Sequence, residues 1–250
     1  MEVAFLLELE YYTGGIFSKI FGNLSELISE VWLEFTDECL KFTALNQSHT
    51  IFVEASLKYD EVHLDNDINM PLQVGVDTIF MSKIVKRIGK KPFRIQVDNH
   101  FMKIISGEEE EYRSFKVPLL DIAYEQQKPP NIEPQTKVCL PVSWFKETLK
   151  DFQLVTKQAF KIDIKQQGIS LYTDNEYETS EVRATKSIHW ENDVEPFTTS
   201  FSIECLDMIM KFAFSDILIF QCQQDMPGIF IFNDEFNQLK FLVAPRLDHT

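Results

Sequence analysis

The sequence predicts an α+β fold of two tandem domains, each with two helices on one face of a largely antiparallel sheet. Three observations support this prediction. Both halves of the 250-residue chain carry helical and strand patterns in the same order. Each half closes on a similar apolar strand segment that contains a proline. A polar segment with three prolines separates the halves.

The first predicted helix of each half has apolar residues at helical spacing. In the first half it covers residues 16–28. In the second half it covers residues 143–155, where the apolar positions are Trp144, Phe145, Leu149, Phe152 and Val155. Two segments with alternating apolar and polar residues follow each helix, which is typical of half-buried strands. They are residues 31–35 and 40–44 in the first half, and 160–164 and 169–172 in the second.

A second amphipathic helix follows in each half, at residues 78–88 and 203–212. Strand segments come next at 93–97 and 217–221, and each half then closes on related segments at 115–121 and 241–248. A sheet of such strands has edges that must be covered or paired. Two copies that pair edge to edge, and again between chains, would close into a ring. An ordinary duplicated two-domain protein would share the same pattern without forming one.

The segment between the halves, residues 123–135, is polar and without periodicity, and contains Pro129, Pro130 and Pro134. Proline fixes φ and removes a backbone donor, so this segment is predicted to be an extended connector. The sequence therefore predicts domain 1 at residues 1–122, an interdomain connecting loop at 123–135 and domain 2 at 136–250.

The composition is that of a globular chain, because 44% of the residues are hydrophobic. No apolar run reaches the length of about 18 residues expected of a transmembrane helix, so no membrane partner is expected. The N-terminus contains acids and has no basic flank, which indicates a strand rather than a signal peptide. The four cysteines are widely spaced without a CxxC pair, which predicts buried, reduced thiols in an intracellular protein.

The formal net charge of −15 argues against nucleic-acid binding if it is taken alone. The distribution of charge changes this view, because residues 82–91 contain five cations and no acid. Lys83, Lys86 and Arg87 are spaced to lie on one helix face. Acids concentrate instead at residues 60–67 and 108–111. The basic stretch is therefore either a solvent-facing helix surface or a contact for phosphate groups.

The chain contains none of the sequence motifs of nucleotide-binding loops, zinc proteases or serine hydrolases. Its five histidines, His49, His63, His100, His189 and His249, show no metal-ligand spacing. We therefore expect no catalytic residues, no metal site and no cofactor.

Four stretches of the sequence resemble the DNA sliding clamps of the proliferating cell nuclear antigen (PCNA) type. Residues 44–49 resemble the family's A-M-D-S-S-H turn, and residues 82–86 resemble its S-K-I-L-K helix. Residues 225–227 read Asp-Met-Pro, and residues 239–246 resemble the closing strand L-K/T-F-L-L-A-P-R. The order and spacing of these stretches extend the resemblance over nearly the whole chain. Asn46-Gln47 and Gly228 depart from the family's Asp-Ser and leucine, at positions that bear on partner docking.

The resemblance implies a ring-forming trimer of two-domain subunits, with helices around the pore and sheets outside. It implies a non-catalytic processivity factor that encircles duplex DNA through non-specific, topological contact. Its implied protein partners are DNA polymerase, a clamp loader, nucleases and ligase, which dock through short aromatic motifs known as PIP boxes. The implied location is intracellular: the nucleus in a eukaryote, the cytoplasm in an archaeon, or the replication site of a virus.

The resemblance also assigns three sets of residues. The DNA-facing set is Lys19, Lys83, Lys86, Arg87, Lys146, Lys150 and Lys211. The groove for the partner motif is lined by Leu45, His49, Thr50, Phe52, Pro129, Ile132, Pro227, Ala244, Pro245 and Arg246. The trimer interface, between a strand at about 112–117 and one at about 179–184 of the next subunit, contains Tyr112, Arg113, Phe115, Val182 and Arg183.

Two alternatives remain open from the sequence. One is a diverged checkpoint-type clamp or a subunit of a heterotrimeric clamp, which would share the fold and choose other neighbours. The other belongs to a different class, a two-domain acidic hydrolase. A clamp needs two similar halves with basic helices, whereas a hydrolase usually concentrates its polar residues in one cleft.

Overall fold

The computed structural model describes residues 5–64, 70–108, 111–122, 129, 131–132, 134, 136–156, 158–175, 178–188 and 195–246. The chain divides into two compact units. Unit 1 comprises Met1–Gln47, Val53–Lys128 and Asn233–Leu239, and unit 2 comprises Ser48–Phe52, Pro129–Phe232 and Lys240–Thr250. The boundary between the two units therefore falls within the predicted connector. Each unit also includes a short segment from the other half of the sequence. The predicted domain boundaries stay a prediction, because much of the connector lies outside the described residues.

Unit 1 contains two helices and nine strands in its described residues. In chain order they are β1 (Leu7–Tyr11), α1 (Gly15–Leu24), β2 (Glu30–Phe35), β3 (Cys39–Leu45), β4 (Ile51–Lys58), β5 (Glu61–Leu64), β6 (Leu72–Asp77), α2 (Thr78–Ile88), β7 (Phe93–Val97), β8 (Phe101–Glu108) and β9 (Glu111–Pro118). The strands lie in the orders β5-β1-β7-β8-β9 and β4-β3-β2-β6. The pairs with a defined register, such as β1 with β7 and β2 with β6, are antiparallel.

Unit 2 repeats this arrangement in its described residues. Its elements are β10 (Thr136–Pro141), α3 (Val142–Val155), β11 (Ala159–Lys165), β12 (Gly168–Asn175), β13 (Glu178–Ser187), β14 (Phe197–Ser202), α4 (Ile203–Met210), β15 (Ile217–Cys222), β16 (Gly228–Asn233) and β17 (Asn237–Val243). The orders β10-β15-β16-β17 and β13-β12-β11-β14 match β1-β7-β8-β9 and β4-β3-β2-β6 of unit 1. The predicted α+β fold with an internal repeat is therefore confirmed, and β5 is an addition in unit 1.

The helices begin close to where the sequence predicts them, and two of them end earlier. The second helix of unit 1 is confirmed at Thr78–Ile88. The first helix ends at Leu24 rather than at residue 28, because the Leu24 carbonyl accepts the N–H groups of both Leu27 and Ile28 in a turn. The last helix ends at Met210 rather than at residue 212. Phe212 is fully buried just beyond it and packs against Phe241, with ring centroids 5.3 Å apart.

Phenylalanine rings form much of the core of unit 2. Phe201, Phe220 and Phe230 are fully buried, and the centroids of Phe220 and Phe230 lie 4.7 Å apart. A Cβ atom on Gly228 would lie 2.6 Å from the Phe201 ring. A side chain at position 228 would therefore clash with the Phe201 ring, which fills the space beside the Gly228 backbone.

The cysteines are free thiols, and the expectation that all four are buried is wrong for Cys139. Cys139 lies on β10 with its side chain exposed, whereas Cys39 and Cys205 are half-buried and Cys222 is buried. Alternation along β10 places Cys139 on the solvent side, between the buried residues Val138 and Leu140. Within the described ranges, no helix combines the length and apolar character needed to cross a bilayer.

We expect iodoacetamide at pH 8 to alkylate Cys139 readily and to leave Cys222 unmodified in the folded protein. Burial raises the pKa of the Cys222 thiol to about 12, so the reactive thiolate is scarce there. Mass spectrometry of digested protein measures both sites. Alkylation in denaturant, where both thiols should react, is the control, and equal rates at both sites in the folded protein would contradict this prediction.

Candidate functional site

Helix α2 presents a basic surface in unit 1. The Asp77 carboxylate accepts the Phe80 N–H at 2.9 Å and so fixes the start of the helix. Met81, Ile84, Val85 and Ile88 are buried on one side of the helix, while Lys83, Lys86 and Arg87 are exposed. The apolar residues Ile79 and Phe80 in the first turn are also exposed. None of these three cations forms an ion pair with another described residue. Their charges are therefore available to an external anion.

Helix α1 packs against α2 and adds a fourth cation. The Ser82 hydroxyl donates to the Gly22 carbonyl at 3.0 Å, and the Lys86 stem lies 3.5 Å from where a Gly22 Cβ would be. Lys19 is exposed on α1. Neither helix contains an acidic residue, so the pair carries only positive side-chain charges.

The helices of unit 2 are closer to electrical balance. On α3, the predicted DNA-facing residues Lys146 and Lys150 are accompanied by Glu147 and Asp151. Lys211 is exposed at the C-cap of α4, where a cation interacts favourably with the helix dipole. Helix α4 itself carries Glu204 and Asp207, so the positive side-chain charge of the helices is concentrated in unit 1.

The two strands predicted to form the trimer interface lie at sheet edges. β9 is the last strand of the order β5-β1-β7-β8-β9, and β13 is the first of β13-β12-β11-β14. On β9, Tyr112 and Arg113 are exposed and Phe115 is half-buried. On β13, Val182 is half-buried, and the Arg183 guanidinium carbon lies 4.5 Å from the centroid of the Tyr172 ring. Both strands carry apolar and cationic side chains at an edge.

Unit 2 contains most of the predicted groove residues. Two backbone hydrogen bonds fix the segment that contains three of them, Ala244, Pro245 and Arg246. The Ala244 N–H donates to the Thr50 carbonyl at 2.9 Å, and the Arg246 N–H donates to the Ser200 carbonyl at 2.8 Å. Pro245, between them, is half-buried. Residues 244–246, the C-terminal tail, are therefore held at two points against the rest of unit 2.

The turn before β4 is also ordered by side-chain contacts. His49 is exposed and has a φ of 57°, a left-handed conformation. The hydroxyls of Ser48 and Thr50 are hydrogen-bonded at 2.9 Å, and the Cys205 Sγ lies 3.8 Å from the Thr50 Oγ1. Cys205 was not predicted from the sequence, although Ser202 three residues earlier is a helix-capping residue that marks the start of α4.

A cavity of about 340 Å³ adjoins the tail in unit 2. It is lined by Lys161, Tyr172, Thr198, Thr199, Ser200, Asp225, Pro245 and Arg246. Only Pro245 and Arg246 belong to the predicted groove set. The Thr199 hydroxyl is buried and has no hydrogen-bond partner among the described residues. The lining residues from β11, β12 and β14 could not be predicted from the sequence, because they come together only through the pairing of these three strands.

The other predicted groove residues are less closely defined. Phe52 is only 5% exposed, so its ring is part of the core beneath this segment. Leu45 belongs to unit 1 and is half-buried. In unit 2, Pro227 and Ile132 are also half-buried, whereas Pro129 is exposed. Several neighbours of Pro129 and Ile132 lie outside the described residues, so the place of these two beside the tail stays a prediction. The described residues contain no group of three or more His, Cys, Asp or Glu side chains placed to hold a metal ion.

Comparison with known proteins gives concordant results for sequence and structure. Residues 6–126 match the family model for the N-terminal domain of proliferating cell nuclear antigen. The DNA polymerase sliding clamp of Methanothermobacter thermautotrophicus is 26% identical over 250 residues, covering 97% of this chain and 99% of that protein. DNA polymerase sliding clamp 1 of Thermococcus kodakarensis is 26% identical over 240 residues, covering 93% and 95% of the two chains.

The crystal structure of proliferating cellular nuclear antigen from Entamoeba histolytica superposes with a TM-score of 0.86. It covers 98% of this chain and 100% of its own, with 20% sequence identity, and thus has the same fold. The family match, the end-to-end similarity to named clamps and the repeated two-helix units agree with one another. This chain belongs to the proliferating cell nuclear antigen family of DNA polymerase sliding clamps.

Proposed function

We propose that this chain forms a homotrimeric ring around duplex DNA and serves as the processivity factor of a DNA polymerase. The observation that carries the proposal is the acid-free helix pair α1 and α2, in a chain that matches DNA polymerase sliding clamps from end to end. Lysine and arginine side chains contact phosphates without reading base sequence. A weakly basic pore wall would let the ring slide, while topology would keep it on DNA.

The proposal includes a docking role for other replication and repair proteins. The tail held by Thr50 and Ser200 offers an extended backbone that can pair with a peptide. Polymerase, clamp loader, nucleases and ligase would dock there through aromatic motifs. The protein would act inside the cell, at replication sites, without a catalytic residue or cofactor of its own.

Light scattering of the purified chain tests self-assembly directly. A homotrimer should have three times the subunit mass of 29.2 kDa. A chain that stays monomeric alone and forms rings only with a second type of subunit would support the heterotrimeric alternative. A chain that never assembles, with or without other subunits, would contradict the clamp assignment.

Replacement of the basic helix face should weaken clamp function without disturbing assembly. We expect Lys83→Ala with Lys86→Ala to reduce clamp-dependent polymerase stimulation. The slope of the logarithm of DNA affinity against the logarithm of salt concentration should also become shallower, by roughly one for each lost lysine–phosphate contact. Primer extension on circular templates at several salt concentrations measures both effects.

A matched variant separates position from charge. Lys41→Ala with Lys137→Ala removes the same charge from exposed positions on strands β3 and β10. It should leave polymerase stimulation near the wild-type level. Equal losses in the two variants would mean that total charge, rather than the α2 face, governs DNA contact.

A further inference from the structure

Unit 1 contains a cavity of about 360 Å³ that none of the predicted DNA-facing, groove or interface residues lines. Its walls come from β1, α1, the end of β4 and the turn between β16 and β17. The lining residues are Tyr11, Thr13, Ile16, Phe17, Leu57, Lys58, Tyr59, Asp60, Asp234, Phe236 and Asn237. The volume is sufficient for one long amino-acid side chain.

The floor of this cavity is aromatic and contains an unsatisfied polar atom. Tyr11, Phe17 and Tyr59 are each at most 6% exposed. The ring centroid of Tyr11 lies 5.2 Å from that of Phe17 and 6.3 Å from that of Tyr59. The Tyr11 hydroxyl is buried and finds no hydrogen-bond partner in the described part of the chain. A donor group that enters the cavity would satisfy this hydroxyl.

The rim is acidic, and its carboxylates are held in place. Asp60 Oδ2 accepts the Tyr12 N–H at 2.6 Å, while Asp60 Oδ1 accepts no hydrogen bond from a described residue. Asp234 accepts the backbone N–H groups of Phe236 and Asn237 at 2.8 and 2.7 Å, and the Asn237 side-chain amide at 3.1 and 3.2 Å, so its carboxylate is engaged within its own turn. Asp60 is therefore the fixed carboxylate with an available oxygen, and a carboxylate favours a guanidinium group, whose planar fork matches it.

The electrostatic environment beside the cavity is negative. The Tyr12 hydroxyl is hydrogen-bonded to Glu61, and this bond, with smaller contributions from desolvation and the nearby charges of Glu10 and Asp60, raises the pKa of Tyr12 to about 12. The same carboxylates that disfavour an added negative charge on Tyr12 attract a cation. Lys58 is the one cation among the described residues that line the cavity.

Phe236 stands at the mouth of the cavity and already binds a cation. Phe236 is 56% exposed as a residue, and the Lys58 Nζ lies 5.1 Å from the centroid of its ring. The Lys58 N–H donates to Asn237 Oδ1 at 3.2 Å, which anchors the turn to the end of β4. The ring is therefore held in position with a face suited to cations.

We propose that this cavity binds an arginine side chain from an extended basic segment of a partner protein. The guanidinium pairs with Asp60 and stacks on Phe236, one of its remaining N–H groups donates to the Tyr11 hydroxyl, and the aliphatic stem covers the rest of the aromatic floor. The site lies apart from the basic helix face and the C-terminal tail. It would give a partner a second attachment point, independent of the aromatic-motif groove.

The test is NMR titration of the full-length chain with acetyl-Gly-Arg-Ser-Arg-Gly-amide, observed at the Ile16 and Leu57 methyl groups. We expect saturable shifts at both methyls. Phe236→Ala and Asp60→Asn should each weaken binding by about two- to tenfold, since each removes one cation contact. Lys58→Ala should strengthen binding, because it removes a competing cation from the Phe236 ring.

Two controls keep the proposal falsifiable. Glu195→Gln removes an exposed carboxylate from unit 2 and should leave the titration unchanged. The peptide acetyl-Gly-Glu-Ser-Glu-Gly-amide should cause no shift at either methyl group. Equal binding of the acidic peptide, weaker binding after Lys58→Ala, or absence of shifts with the arginine peptide would each overturn the proposal. Because the readout is binding to unit 1, failure here would leave the clamp assignment intact.

Discussion

A chain that carries Phe115→Asp together with Arg183→Pro is expected to be a monomer of 29.2 kDa in solution. Phe115 is a half-buried apolar residue on edge strand β9, and Arg183 lies on edge strand β13. Aspartate removes apolar contact from one strand. Proline removes a ladder hydrogen bond from the other. Sedimentation or light scattering measures the mass.

The internal repeat gives a physical reason for this assembly. In strand order, β17 and β4 are the counterparts of β9 and β13. Within unit 2, the residue after β17 pairs with the residue before β4, because the Ala244 N–H donates to the Thr50 carbonyl. If β9 and β13 of neighbouring copies meet in the same way, every contact has the same head-to-tail geometry. Such contacts close into a ring when the rotation permits.

The control for this variant uses the opposite edge of the same sheet. Val62 is half-buried on β5, as Phe115 is on β9. Val62→Asp should therefore preserve the trimer. Circular dichroism should show that the double variant remains folded. A folded double variant that is still trimeric would rule out this pairing of edges.

Much of the fold could be predicted from the sequence, because periodicity records which faces are buried. The helix at Thr78–Ile88 was predicted to the residue, since its apolar spacing begins directly after the capping residue Asp77. Helix α1 was predicted too long, because apolar residues continue through a turn that packs like a helix. The spacing of apolar residues indicates which positions are buried, and a buried turn can show the same spacing as a helix.

The sites were less predictable, because they depend on residues that are distant in sequence. The basic face could be recognised, since Lys83, Lys86 and Arg87 lie on one helix. The wall of the tail cavity could not, since Lys161, Tyr172 and Thr198 come together only through the order of β11, β12 and β14. Likewise, nothing in the sequence indicates that the turn containing Phe236 reaches Lys58.

The C-terminal tail is well suited to receive a peptide. Its backbone is fixed at Ala244 and at Arg246, on either side of Pro245, so little conformational entropy remains to be lost on binding. An extended ligand could add backbone hydrogen bonds along the tail while its aromatic side chains fill a desolvated pocket. Binding energy in such a groove would be concentrated in a few apolar contacts.

We expect a peptide that contains Gln-x-x-Ile-x-x-Phe-Phe to bind the wild-type chain with a Kd in the micromolar range, about −8 kcal/mol. Ile132→Ser together with Pro245→Ser should weaken binding by at least about 1 kcal/mol, because both changes remove apolar groove contact. Isothermal titration calorimetry measures the loss, and light scattering should show an unchanged trimer. Ile217→Ser with Pro196→Ser makes the same two replacements at exposed positions of unit 2 and should bind as wild type does. If the groove variant retained full affinity, the partner motif would dock elsewhere on the ring.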